Sequence, residues 1–241
     1  MNWLVRNLSS FISRKGYWDS LAEIETGSGL LVSDYVDSVS EEDCMDILAT
    51  SLRRKRAAVL YADVANYARL TEQDEEGTHH RLVKAIRIMM SHVVDNRGRI
   101  AHLAGDAILA EFKDADSALH CAINVQLSAR QWNANFSVDR SVLFRIGVNL
   151  GDVISDRGDI YGNAVNLAAR LEKLATSGGI CVSESVMQDL EGHPSIKFVA
   201  MGKRYVKNIS EPVHAFWIEF DSQQMGEPNL TSAIKVSALA S

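Results

Sequence analysis

Cysteine is scarce in this 241-residue chain: there are three, Cys44, Cys121 and Cys181, scattered and without a C-x-x-C pair. An odd, dispersed set excludes a disulfide framework, offers no zinc site and fits a reducing compartment. Basic residues are outnumbered, 25 Lys and Arg against 31 Asp and Glu, which leaves a formal net charge of -6. Phosphate backbones reward a basic face, so a general nucleic-acid binder is not expected, whereas a small anion held by a local cluster stays open. No apolar run approaches the roughly 20 residues of a membrane span. The N-terminus also lacks the long apolar stretch and small-residue cleavage site of a signal peptide. The chain therefore reads as cytoplasmic, with no membrane contact expected, and its length suits one domain with flanking segments.

Residues 1–52 differ in character from the remainder of the chain. Leu4, Leu8, Phe11 and Ile12 recur at helical spacing beside Arg6 and Arg14, the pattern of a short amphipathic helix packed on a protein surface. Between Glu23 and Asp46 stand eight acidic residues and no Lys or Arg, and Ser40 to Asp43 offers a helix start, so this stretch reads as a linker with a lead-in helix. A boundary is expected at the basic cluster Arg53 to Arg56, a main domain over 53–220, and a disordered tail over 221–241.

Within 53–220 strand and helix patterns alternate. Ala57 to Val64 reads as a buried strand ending near Asp63, and Thr78 to Asp95 as a helix with Leu82, Ile86, Met89 and Val93 on one face. Arg99 to Leu103 and Ala107 to Phe112 read as two strands joined by a Gly105-Asp106 turn. Next comes a helix over Ala115 to Gln131, then a half-buried strand in which Val142, Phe144, Ile146, Val148 and Leu150 alternate with other residues until Gly151 ends it. A loop with Asp156, Gly158 and Asp159 leads into a helix over Asn163 to Ala175, a strand at Ile180 to Val182, a helix capped by Ser183, and strands near Phe198, Tyr205 and Phe216 to Phe220. The order βαββαβ, with additions, is that of an α+β, ferredoxin-like sheet covered by helices.

Pairing of neighbouring strands brings Asp63 and Asp106 to one end of the sheet. Two buried acids do not both stay charged without a cation, and hard oxygens with no His or Cys nearby suit Mg²⁺ or Mn²⁺. Two such ions about 3.5 to 4 Å apart serve displacement at phosphorus. Asn166 and Arg170, four apart on a helix, share one face and present an amide and a guanidinium together, suited to a sugar ring and to phosphoryl charge. Taken alone, a Gly-Asp pair reads more readily as a turn, and an Asn and Arg at helical spacing as a solvated helix face, than as a site.

Three ordered segments resemble one family. Tyr61-Ala-Asp63-Val-Ala-Asn66-Tyr67 resembles the F-x-D-I-x-G-F strand and turn of class III adenylate and guanylate cyclases. His102-Leu-Ala-Gly105-Asp106 resembles their K-x-x-G-D hairpin, and Asp159 to Arg170 their D-x-x-G-x-x-V-N-x-x-x-R segment. The resemblance implies two divalent metal ions held by Asp63, Asp106 and the carbonyl of Val64, base selection at His102 and Asp159, ribose positioning by Asn166 and phosphate stabilisation by Arg170. It also implies a homodimer with shared active sites, in which the metal acids of one subunit meet the Asn and Arg of the other. The expected reaction turns a nucleoside triphosphate into a 3′,5′-cyclic nucleotide and pyrophosphate.

The chain departs from the family at His102, where adenylate cyclases usually carry lysine, and at Asn66, which replaces a glycine of the phosphate-binding turn. An acceptor at Asp159 serves adenine, cytosine or uracil alike. His102 suits a carbonyl such as uracil O4, and the bulk of Tyr61 on the first strand is a candidate for narrowing the base pocket. Short and without a recognisable sensor segment, the chain resembles the stand-alone pyrimidine cyclases of bacterial antiphage signalling. UTP is the expected substrate, with CTP next. An adenylate cyclase is the alternative within the class, and a non-catalytic nucleotide- or partner-binding module the alternative outside it.

Overall fold

The computed structural model describes residues 53–156, 158–206 and 212–220. The expected N-terminal helix, the lead-in segment and the tail lie outside them.

Strand β1, Arg53–Val64, begins with four exposed basic residues and then buries both faces. Ala58, Leu60 and Ala62 enter one core and Ala57 and Val59 another, which is why this stretch reads as an unbroken apolar run. Two helices come after it, α1 at Tyr67–Gln73 and α2 at Glu75–Asp95. Asp74 separates them and caps α2, its side chain accepting from the Gly77 amide at 2.9 Å. The hairpin β2, Arg99–Ala104, and β3, Ala107–Phe112, leads to α3 at Ala115–Asn133. Then come β4 at Phe144–Asp156, β5 at Asp159–Tyr161, α4 at Asn163–Leu174, β6 at Ile180–Ser183, α5 at Glu184–Asp189, β7 at Ile196–Arg204 and β8 at Val213–Phe220.

The strands form one sheet in the order β2-β3-β1-β4-β6-β8-β7, with β5 paired to β4. Its first four strands have the ferredoxin-like order. Helices α2 and α3 cover one face, over a core that includes Leu60, Met89, Ile123, Phe144 and Ile146. Leu60 is fully buried there, so its truncation to Ala should cost about 2 to 5 kcal/mol. Helix α4 covers the other face, where Ala164 and Ala168 pack on Val59, Leu109 and Val153.

Two expectations about β4 are corrected. It is not half-buried: Phe144 and Ile146 through Leu150 are all buried. The alternate positions lie beneath α4, and a Cβ added to Gly147 would stand 2.2 Å from the Ala168 carbonyl oxygen and 2.3 Å from the Glu172 nitrogen. Glycine is what lets the helix approach so closely. Nor does Gly151 end the strand, which continues to Asp156 with Gly151 opposite Ala57. A Cβ there would meet the Ala164 methyl at 3.1 Å, so this glycine too serves helix approach and not a turn.

Candidate active site

Strands β1 and β3 run antiparallel with Ala62 opposite Ile108, so the end of β1 and the β2–β3 turn share one edge of the sheet. Gly105, at φ 61, makes the turn and leaves Asp106 facing Asp63. Burial first, then a hydrogen bond and the charge from Asp63, push the Asp106 carboxyl up to about 6, against backbone amides of Asp106 and Val64 that favour its ionised form. Two acids in hydrogen-bond contact share a proton when no cation separates them. The donor set is all oxygen, which fits a hard dication.

Asp63 has a second neighbour. Arg145 occupies the position opposite it on β4 and donates from Nη2 to Oδ2 at 3.1 Å. The same guanidinium lies with Nε 2.8 Å from Glu172 Oε1, an ion pair whose N–H is not aimed at the oxygen. Glu172 is fully buried on α4 above Gly147, and burial raises its pKa while Arg145 and Lys173 oppose the rise. Sequence reasoning passed over Arg145 and Glu172. The signal was there: a charge within the apolar alternation of β4, and another on the buried side of α4.

The tight seat of α4 decides where Asn166 and Arg170 point. Ala164, Ala168, Leu171 and Glu172 are buried against the sheet. At 100° per residue Asn166 and Arg170 fall on the opposite side, Asn166 exposed and Arg170 half-buried. Arg170 forms no ion pair among the described residues. The amide and guanidinium share a face, as their spacing predicts, but that face turns away from the sheet that carries their own chain's Asp63 and Asp106.

His102 and Asp159 come together: His102 Nδ1 stands 3.4 Å from Asp159 Oδ2. A β-bulge makes this possible. Between Ile100 and His102 the register of β2 on β3 shifts, so that His102 rather than Ala101 lies opposite Leu109. In an unbroken ladder His102 would face Ile108, whose side chain enters the core under α2 and α3; the bulge turns it to the α4 side. Asp159 is oriented by its own chain, with Oδ1 accepting from the Ile160 amide at 2.7 Å. Tyr61 sits differently. Its ring packs in the core beneath α4, and its phenol, raised in pKa by burial and then by Asp63, Glu172 and Asp106, feels the charges of the carboxylate end.

With this geometry, the comparison with known proteins is decisive. The profile of the adenylate and guanylate cyclase catalytic domain matches residues 50–220. The chain belongs to the class III nucleotide cyclases. A Rhizobium meliloti (strain 1021) protein bearing the provisional name adenylate cyclase 3 is 38% identical over 179 residues, 74% of this chain and 30% of its own length. A uridylate cyclase of Rhodovulum sp. (strain MB263) is 29% identical over 139 residues, 49% of this chain and 58% of its own. The chain thus spans less than two thirds of either relative. The crystal structure of an adenylate/guanylate cyclase/hydrolase from Silicibacter pomeroyi superposes with a TM-score of 0.63 at 35% identity, covering 70% of this chain and 99% of that one.

Two further features of this cyclase domain belong beside the site. Asn66, in place of the family's glycine, takes the left-handed conformation at φ 58, ψ 31, which asparagine tolerates better than most residues. A second cluster, Asp116, His120 and His193, brings three metal-type donors within 4.8 Å of one another. The Ser195 amide donates to His193 Nδ1, so the neutral ring carries its proton on Nε2, toward Asp116 Oδ1 at 3.7 Å. His120 Nδ1 lies 3.0 Å from the Asp116 carbonyl. Both imidazoles are engaged as hydrogen-bonding partners within the cluster. Among the described residues, no helix is long and apolar enough to cross a membrane.

Proposed function

We propose that this domain cyclises a nucleoside triphosphate to a 3′,5′-cyclic nucleotide, releasing pyrophosphate, and that its working form is a homodimer with shared sites. The observation that carries the reading is the contact of Asp63 with Asp106 at one sheet end, where burial, and then the hydrogen bond and charge of Asp63, raise Asp106 to about 6. Asp63, Asp106 and the Val64 carbonyl would hold two Mg²⁺ or Mn²⁺ ions, which when bound would supply charge neutralisation at the phosphates and activation of the ribose 3′-hydroxyl. Asn166 orients the ribose so that its 3′-oxygen lies in line with the α-phosphorus, and Arg170 stabilises the negative charge that builds there as the bond to pyrophosphate breaks. Because α4 turns both groups away from their own sheet, they serve the carboxylates of a second copy.

For the base, the reading is a pyrimidine, with His102 donating to uracil O4 and Asp159 accepting from N3–H. Support comes from the histidine at the family's lysine position and from its contact with Asp159. The name of the R. meliloti relative favours a second reading, ATP. Incubation with each of the four triphosphates and Mn²⁺, with products identified by mass spectrometry, tests both. Cyclic UMP as the main product is expected, and ATP used at least as efficiently as UTP and CTP overturns the pyrimidine reading. No pyrophosphate from any triphosphate, in folded dimeric protein, leaves a nucleotide- or partner-binding module. The antiphage role attached to the pyrimidine reading predicts fewer phage plaques on cells carrying the wild-type chain than on cells carrying Asp106→Asn; equal counts reject that role.

A further inference from the structure

The turn that carries Asp159 lies beside a short element. On one side stands the three-residue β5, paired with β4. Gly158 has φ 86, and a Cβ added there would meet nothing within 4 Å. His102 and Asp159 are both partly exposed, at 57% and 25% of their side chains, and solvent would readily separate them.

One side chain ties this turn to β2. Arg99, the first residue of that strand, donates from Nη1 to the Gly158 carbonyl oxygen and from Nε to Glu111 Oε1 at 2.9 Å. Its planar guanidinium thus reaches the turn and β3 at once, through different nitrogens. Glu111 is itself held in place. Lys55 on β1 donates to the same oxygen at 2.8 Å, and only 11% of the Glu111 side chain is exposed. Burial pushes the Glu111 carboxyl up, but the hydrogen bonds from Arg99 and Lys55 outweigh it, so it remains ionised at neutral pH. Arg99 is three positions from His102, on the near side of the bulge that aims the imidazole.

We propose that Arg99, anchored by Glu111 and Lys55, is a positioning residue for base selection: it clamps the Gly158–Asp159 turn to β2, so that Asp159 and His102 are presented to the nucleobase at a fixed separation. The proposal rests on the cyclase reading for the role of that pair, but the clamp itself is independent of it.

Arg99→Lys keeps the charge beside Glu111 but cannot span to Gly158, because a single ammonium replaces two separated donors. The clamp predicts faster amide exchange at Gly158 and Ile160 in this variant, by about three- to tenfold, with melting temperature and Mn²⁺ requirement unchanged. It also predicts that discrimination between the preferred triphosphate and the next best falls by about three- to tenfold, mainly through KM. Glu111→Gln, which keeps an acceptor for Arg99, should move both readouts less and in the same direction. Unchanged exchange in Arg99→Lys overturns the clamp. Discrimination within twofold of wild type, or equal loss on all four triphosphates, overturns its role in selection. A wild-type protein that turns over no triphosphate would defeat the cyclase reading instead, and the exchange comparison would still decide the clamp.

Discussion

Asp63 and Asp106 set two acids in hydrogen-bond contact, whereas His102 and Asp159 set a ring nitrogen opposite an acid 3.4 Å away. In the first pair burial and the neighbouring charge both disfavour a second ionised carboxylate, and a bound dication would offset both. The second pair is in contact but partly exposed, so a ligand bound there would exchange one weak contact for another. On the proposed function, metal binding would rest on a large difference in free energy, and base choice on a small one. The carboxylate end should be intolerant of change and the base end tunable.

The largest effect is expected at the carboxylates. Asp63→Asn and Asp106→Asn should fold and lose at least about a hundredfold in turnover, since each removes a ligand from a site whose ions supply several kcal/mol. Steady-state rates decide it: more than roughly a tenth of wild-type activity in both variants sinks the two-metal assignment. Next in size is complementation across the dimer. Mixing inactive Asp106→Asn with inactive Arg170→Ala should restore about a quarter of wild-type activity, because half the dimers then hold one intact site of two. No recovery, once subunit exchange is demonstrated, means that the groups act within one chain.

At the base end the expected change is smaller. His102→Lys substitutes a longer, charged donor and should raise kcat/KM on ATP relative to UTP by about five- to a hundredfold, the range set by one matched polar contact. An unchanged ratio would show that position 102 does not read the base. The smallest effect concerns the carboxylate pair in metal-free protein. Asp106 has its folded pKa raised from 3.8 to about 6, so the contribution to stability is complete below 3.8 and lost as pH rises through about 6. Metal-free Asp106→Asn should consequently melt about 2 to 4 °C above wild type at pH 8 and not at pH 4, a range kept small because the group is partly solvated. Saturating Mn²⁺ should reverse the order at pH 8. Equal melting curves without metal would show that burial and Asp63 together do not disfavour the ionised Asp106.

Most strands and helices were legible because their signals are local. The hairpin follows from Gly105-Asp106 between apolar runs, and α3 from its 3.6-residue period after the Asp114 cap. Helix α1 was missed because it is seven residues long with Leu70 as its one buried residue, too little for a period to show. The reach of β4 past Gly151 was missed because glycine was read as punctuation, when its role is to admit α4.

The chain's own residue order determined that Asp63 ends a strand, that Asp106 sits in the adjoining turn, and that Asn166 and Arg170 share a helical face, since strand pairing and a 100° helical step follow from local pattern. Two matters were left to the tertiary structure. Which side of the sheet His102 faces depends on a bulge at Ala101, and nothing in the residues 99–104 marks where one extra residue will slip from the ladder. Which way Asn166 and Arg170 point depends on how α4 seats on Gly147, a contact between residues 21 and 25 positions apart. Both are questions of direction, and direction comes from packing, where a single clash or a single unpaired residue turns a side chain from one face of the sheet to the other.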